Sequence, residues 1–135
     1  MAYDITLEFL IPAKPIQVMK LLTDAKLIRA WSGGEGKVEK KVGGEFDMFD
    51  RWVAGKVLEI SDNELAYTWK TTDWAEDVKP TDVHYRLQAD KEGTKVLLTH
   101  NGFPNEEEME SHKEGWTEHF FGPMEEYILV TRTTI

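Results

Sequence analysis

The sequence predicts an α+β helix-grip: a curved antiparallel sheet closed over one long C-terminal helix, with two short helices after the first strand. Three observations carry this. The first apolar stretch alternates with a period of two, the region from Gly36 to Gly102 repeats strands and turns, and the last thirty residues carry an aromatic stripe at helical spacing. A sheet with one dry face must bury that face against another element, and the last helix supplies it.

Taken in order, Tyr3, Ile5, Leu7, Phe9 and Ile11 alternate with Asp4, Thr6 and Glu8, which is the pattern of a half-buried strand. Pro12 ends it. Pro15 suits the first turn of a helix, where its missing N–H has no partner to lose, and Ile16, Met19 and Leu22 give the helical spacing. Thr23-Asp24 offers a new cap for a second short helix through Leu27, Ile28 and Trp31, which stops before Ser32-Gly33-Gly34. The meander that follows breaks at Gly43-Gly44, Ser61-Asp62-Asn63, the charged stretch from Asp73 to Lys79, and Asp90 to Gly93. Leu65, Tyr67 and Trp69, then Val83, Tyr85 and Leu87, then Val96, Leu98 and His100 mark the dry face; Asp82, His84, Arg86 and Gln88 mark the wet one. Asn105 with Glu108 resembles a capping box for a helix reaching about Val130. At about 100° per residue, Met109, Phe120, Pro123, Tyr127 and Val130 all lie within about 40° of Trp116, and Glu107, Glu114, Glu118 and Glu125 lie opposite. Pro123 cannot donate to the carbonyl of His119, so a bend is expected there.

The 135 residues suit one domain spanning 1–135, with 41 % hydrophobic and 30 % charged content that places the chain among globular proteins. The net charge of −9 repels a phosphate backbone and an anionic membrane, so nucleic acid is excluded as a first guess. Eight acidic residues and one basic one fall between Pro104 and Glu126, so most of this charge belongs to the last helix. Cysteine is absent, which removes disulfides, thiolate metal sites and thiol nucleophiles. Asp4 and Glu8 interrupt the first apolar stretch, so no signal peptide is read there, and no segment has the roughly 20 apolar residues of a bilayer crossing. A cytoplasmic location and no membrane insertion are the expectations.

Several motifs, taken in order, resemble a known family: Pro12-Ala13-x-x-Ile16, Leu22-Thr23-Asp24 with Leu27 and Trp31, Gly43-Gly44-x-Phe46, Gly55-x-Val57-x-Glu59, Leu65-x-Tyr67-x-Trp69, Gly93-Thr94, Leu98-Thr99-His100-x-Gly102-Phe103 and Gly115-Trp116. They look like the SRPBCC superfamily, which shares the fold of the START lipid-transfer domains. Within it they are most similar to the group named after the C-terminal domain of the activator of heat-shock protein ATPase. The resemblance covers nearly the whole chain. It implies an elongated cavity between sheet and helix, and a function drawn from lipid carriage, hormone reception, polyketide cyclisation or co-chaperone activity.

Aromatic residues dominate the inward positions: Phe46, Tyr67, Trp69, Tyr85, Trp116, Phe120 and Tyr127, with Val57 and Leu98 beside them. Such a lining suits a small hydrophobic or aromatic ligand, and equally suits an interdigitated core; the size of the void decides. His100, His112 and His119 border the same space. Imidazoles there could move protons, and His100, His119 and Tyr85 are the catalytic candidates. As metal ligands they fail, because seven residues at about 1.5 Å rise separate His112 from His119 by about 10 Å and no HExxH or cysteine accompanies them. No metal and no cofactor are expected. Gly33-Gly34-x-Gly36 lacks the lysine of a phosphate loop, Ser32, Ser61 and Ser111 lack a nucleophile-elbow context, and Asp73 to Asp77 reads as a solvated loop or a gate over the pocket mouth.

The first expectation is therefore a non-enzymatic protein that binds a small hydrophobic or aromatic molecule between sheet and helix. The alternatives are a polyketide cyclase or aromatase-like enzyme and, with no room in these residues for the co-chaperone's separate N-terminal domain, a chaperone-interaction module. The sequence specifies no oligomeric state.

Overall fold

The computed structural model describes residues 3–133. Its seven strands are β1 (Ile5–Ile11), β2 (Lys37–Val38), β3 (Glu45–Met48), β4 (Val53–Ile60), β5 (Glu64–Thr71), β6 (Thr81–Asp90) and β7 (Gly93–Asn101). They form one antiparallel sheet in the order β1-β7-β6-β5-β4-β3-β2, so the meander runs unbroken and β1 closes beside β7. The predicted alternation holds through the centre of the sheet. Leu65, Tyr67, Trp69, Val83, Tyr85, Leu87, Val96, Leu98 and His100 are all buried, while Asp82, Arg86 and Gln88 are exposed.

Between β1 and β2 lie α1 (Pro15–Thr23), with Pro15 in its first turn, and α2 (Ala25–Ser32). The carboxylate of Asp24 caps α2 by accepting from the N–H groups of Lys26 and Leu27 at 2.9 and 3.2 Å. Gly33 ends it in the left-handed conformation, φ 78°.

The last helix is where sequence and structure part. It comprises α3 (Glu106–Gly115), a π-helical stretch from Trp116 to Phe121, and α4 (Gly122–Thr133). Asn105 caps α3, its side chain accepting from Glu108 N–H at 2.8 Å. In the π-helical stretch the bonds reach five residues back, as from Gly122 N–H to the Thr117 carbonyl. Such a stretch turns more slowly per residue than an α-helix, so every later side chain is rotated from its α-helical position. The residues facing the sheet are therefore Trp116 and Phe120, as expected, followed by Phe121, Met124 and Ile128, all buried. Pro123 and Tyr127 are only half-buried and Val130 is 55 % exposed, which corrects their inward assignment.

Gly122 explains why the irregularity sits here. A Cβ at this position would lie 2.5 Å from the Thr117 carbonyl oxygen, closer than side chains tolerate. Glycine removes that clash and Pro123 gives up one helical donor, so together they accommodate the slower turn. The helix is then gripped by ring packing. Phe9 of β1 stacks on Phe121 at 4.4 Å, and Trp31 of α2 meets Phe120 edge-on at 4.8 Å. No described helix is long and apolar enough to cross a membrane.

Candidate functional site

Aromatic rings pack closely at the centre of the expected cavity. Phe46 stacks on Tyr67 with centroids 3.6 Å apart, and Tyr67 and Tyr85 meet edge to face with their hydroxyls 2.5 Å from one another. Burial holds both phenols above their ordinary pKa, so each stays protonated and can donate or accept only within the pair. Val57 and Leu98 are buried in the same cluster. Tyr127 stands apart, in a shallow groove with Pro12, Leu27 and Ile128.

Nearer the start of the last helix, two imidazoles knit helix to sheet. Trp116 donates its indole N–H to His100 Nδ1 at 3.1 Å, which leaves His100 Nε2–H to donate to Thr81 Oγ1 at 2.7 Å; Thr81 in turn donates to the Trp69 carbonyl at 2.9 Å. Trp69 donates its own indole N–H to His112 Nε2 at 3.2 Å, and His112 Nδ1–H is 3.0 Å from the Glu108 carbonyl. Indole is a donor only, so each accepting imidazole must be neutral at that nitrogen and its tautomer is fixed by the network. Burial pushes the His100 pKa down to about 2, with His112 adding a smaller effect. Burial also lowers His112, opposed in part by the Glu108 carbonyl and the nearby carboxylates of Glu108 and Asp73. His119 is exposed. Tyr85 is hydrogen-bonded to Tyr67, His100 to Thr81 and Trp116, and His119 is exposed; no hydrogen bond joins the three among the described residues.

Open space lies at this end of the helix. A half-enclosed cleft of about 350 Å³ has Phe49, Trp52, Trp69, Trp116 and Phe120 as its aromatic walls. Asp73, Glu108, Ser111, His112, Glu114, Gly115, Glu118 and His119 complete its lining. Of the sequence-predicted residues, Trp69, His112, Trp116, His119 and Phe120 come together here; Phe46, Val57, Tyr67, Tyr85, Leu98, His100 and Tyr127 do not line it. Glu114 and Glu118, expected to point away from the aromatic stripe, stand at its edge instead.

Phe49 and Trp52 were missed because they lie in the turn between β3 and β4, outside any alternating run. That turn holds Phe49, Asp50 and Arg51 at φ 55°, 57° and 68°, a run of left-handed residues without glycine. Each costs about 1 kcal/mol or more and persists only where its surroundings enforce it. Here Asp50 accepts from Glu35 N–H through its side chain at 2.8 Å and donates its own N–H to the Glu35 carbonyl at 3.0 Å; Thr72 N–H donates to the Trp52 carbonyl at 2.9 Å. The turn is braced on both sides, and the two rings it carries become a wall of the cleft. The sequence signal was Phe49-Asp50-Arg51-Trp52, two aromatics flanking a polar pair between strands.

A second cluster lies on the face of the sheet that the alternation of β6 marks as wet. Ligand atoms of Glu59, Glu64 and His84 lie within 4.8 Å of one another, with His84 Nε2 3.2 Å and Arg86 Nε 3.9 Å from the same Glu64 oxygen.

With this geometry in hand, comparison with known proteins is informative. Residues 12–128 match the family model described as activator of Hsp90 ATPase homolog 1-like protein. The chain belongs to that family. Among curated proteins, this Hsp90-activator-like chain is 27 % identical over 119 residues to the activator of 90 kDa heat shock protein ATPase homolog 1 of Mus musculus; the match covers 87 % of the chain and 34 % of the mouse protein, so the chain spans about a third of that relative. Among solved structures, an Hsp90 activator from Plasmodium falciparum is similar at 31 % identity and TM-score 0.79, covering 95 % of this chain and 96 % of that one. A Mesorhizobium loti protein shares the fold at 24 % identity and TM-score 0.80, covering 95 % and 98 %. The activator-like family and the helix-grip fold within the SRPBCC superfamily are thereby established, and the fold supports a ligand-binding or related role.

Proposed function

We propose that the protein binds a small aromatic molecule in the cleft between the β3–β4 turn and the π-helical stretch, rather than among the stacked rings at the centre of the grip. The observation that carries this is the cleft itself: about 350 Å³, half-enclosed, walled by five aromatic rings and edged with polar groups. Sites for small molecules have this composition, an apolar concavity with a few polar groups that fix orientation. The strained turn that holds Phe49 and Trp52 in place supports the same reading. Indole, a flat bicyclic ring, is a suitable first ligand. Titrated into the protein, it is expected to raise the melting temperature and to register as a one-to-one complex by native mass spectrometry. Trp52→Ala should abolish both effects; binding left unchanged by Trp52→Ala would refute the assignment of the cleft.

A second reading rests on the 31 % identity with the Plasmodium falciparum Hsp90 activator along nearly the whole of both chains. In it the domain contacts an Hsp90-type ATPase through its surface. Co-purification with the ATPase, and a changed hydrolysis rate when the two are mixed, are the expected results; neither effect at saturating concentration would remove this reading. The cyclase-like reading has no comparable support, since no hydrogen bond joins its three candidate side chains among the described residues.

A further inference from the structure

The composition of the cleft says more than that it takes an aromatic ring. Its lining includes the carboxylates of Asp73, Glu108, Glu114 and Glu118 and no lysine or arginine. Asp73, Glu114 and Glu118 form no ion pair among the described residues, and Glu114 and Glu118 stand about one turn apart, where like charges repel. Of the two imidazoles present, His112 is held neutral, because its Nε2 accepts from Trp69 and its Nδ1–H is directed to the Glu108 carbonyl. His119, which is exposed, is the other imidazole of the lining. The faces of aromatic rings carry the negative end of a quadrupole, so the walls and the rim act in the same direction on an incoming charge.

From this juxtaposition of ring faces and unpaired carboxylates we infer that the cleft selects an aromatic cation, an arene bearing a protonated amine on a short tether. The inference deepens the ligand-binding reading and rests on it. The ring lies against Trp52 and Trp116, and the ammonium group reaches the carboxylates of Glu114 and Glu118 at the rim. The ammonium relieves the repulsion between those two groups, neither of which forms an ion pair among the described residues. A carboxylate in the same place on the ligand would add to it. Aromatic amines, and an arginine or lysine presented beside an aromatic residue on a peptide, share this chemistry.

Three ligands of one ring system separate charge from shape: tryptamine, indole and indole-3-acetate, which carry positive, zero and negative charge at pH 7. Isothermal titration at low salt is expected to show tryptamine binding about tenfold or more tighter than indole, with indole-3-acetate the weakest. Raising the salt to about 1 M should bring the three affinities together, since exposed charges are then screened within about 3 Å. Glu114→Gln combined with Glu118→Gln, at two exposed positions, should reduce the ratio of tryptamine to indole affinity to less than about threefold. Equal affinity for all three, a preference for indole-3-acetate, or a preference that survives both high salt and the double variant would overturn the charge inference and leave the aromatic cleft standing. No binding by any of the three would overturn the cleft reading together with it. If the double variant does not fold, the salt titration on the unaltered protein decides alone.

Discussion

The two halves of the C-terminal helix, before and after the π-helical stretch, behave as different materials. In α4 the face toward the sheet is apolar and closed: Met124 and Ile128 continue the packing begun by Phe120 and Phe121 against β1 and α2. In α3 the only buried side chain is His112, which ties the helix to β5 through the Trp69 indole beside the cleft. The difference shows how a fold that must bury one helix can still leave a site. Aliphatic packing by Met124 and Ile128 carries one half, while in the other His112 sits among the rings of Trp52, Trp69, Trp74 and Phe103 and is fixed by directional hydrogen bonds. Stability and binding should accordingly separate on mutation.

The largest effect should come from the closed half. Phe121→Ala removes a ring that is 1 % exposed and stacked on Phe9, and should cost about 3–5 kcal/mol in urea unfolding, whereas Trp52→Ala, at 38 % exposure on the open side, should cost far less while abolishing ligand binding. Comparable losses for the two would erase the distinction.

Acid should act through the imidazoles. The folded-state pKa of both His100 and His112 lies below the ordinary value near 6.5, so above that pH both states are neutral and the full stability is present. As pH falls below 6.5 the unfolded chain gains protons that the folded chain refuses. Stability should then drop by up to about 1.4 kcal/mol per pH unit for His100, continuing toward its folded pKa of about 2. Urea midpoints between pH 7 and 5 should show this slope, reduced by about one proton in His100→Gln; an unchanged slope in that variant would place the titration elsewhere.

A smaller effect is expected from the tyrosine pair at the centre of the grip. Tyr67→Phe leaves the Tyr85 hydroxyl buried without a partner and should cost about 1–3 kcal/mol, while adding Tyr85→Phe should recover part of that loss. Strictly additive losses would mean the hydroxyls do not depend on one another. Gly122→Ala should also destabilise, by about 1–3 kcal/mol, although alanine is the better helix former by about 1 kcal/mol, because its Cβ meets the Thr117 carbonyl. A gain in stability there would mean that the helix can return to regular α geometry without loss.

The sheet was legible in the sequence because alternation is a local signal, and β5, β6 and β7 show it; β4, whose register shifts between Val57 and Glu59, does not. The caps at Asp24 and Asn105 were legible for the same reason. The second half of the last helix was misread because a constant 100° per residue cannot register a π-helical stretch, and Tyr127 and Val130 were assigned inward where Met124 and Ile128 belong. Gly122-Pro123 was the available warning, read as a bend alone. The site was half legible. Trp69, His112, Trp116, His119 and Phe120 lie on periodic elements, but Phe49 and Trp52 reach the cleft through a left-handed turn whose conformation is imposed by contacts with Glu35 and Thr72, both distant in sequence.

The five tryptophans allow a direct test of the division between closed and open halves. Trp52, Trp69 and Trp116 line the cleft, while the Trp31 indole donates to the Leu21 carbonyl at 2.8 Å within the closed side. In a two-dimensional NMR titration with tryptamine, the indole N–H signals of Trp52, Trp69 and Trp116 should move together and saturably, with that of Trp31 staying in place. Movement of Trp31 with Trp52 unmoved would put the ligand elsewhere and contradict the assignment of the open half as the binding site.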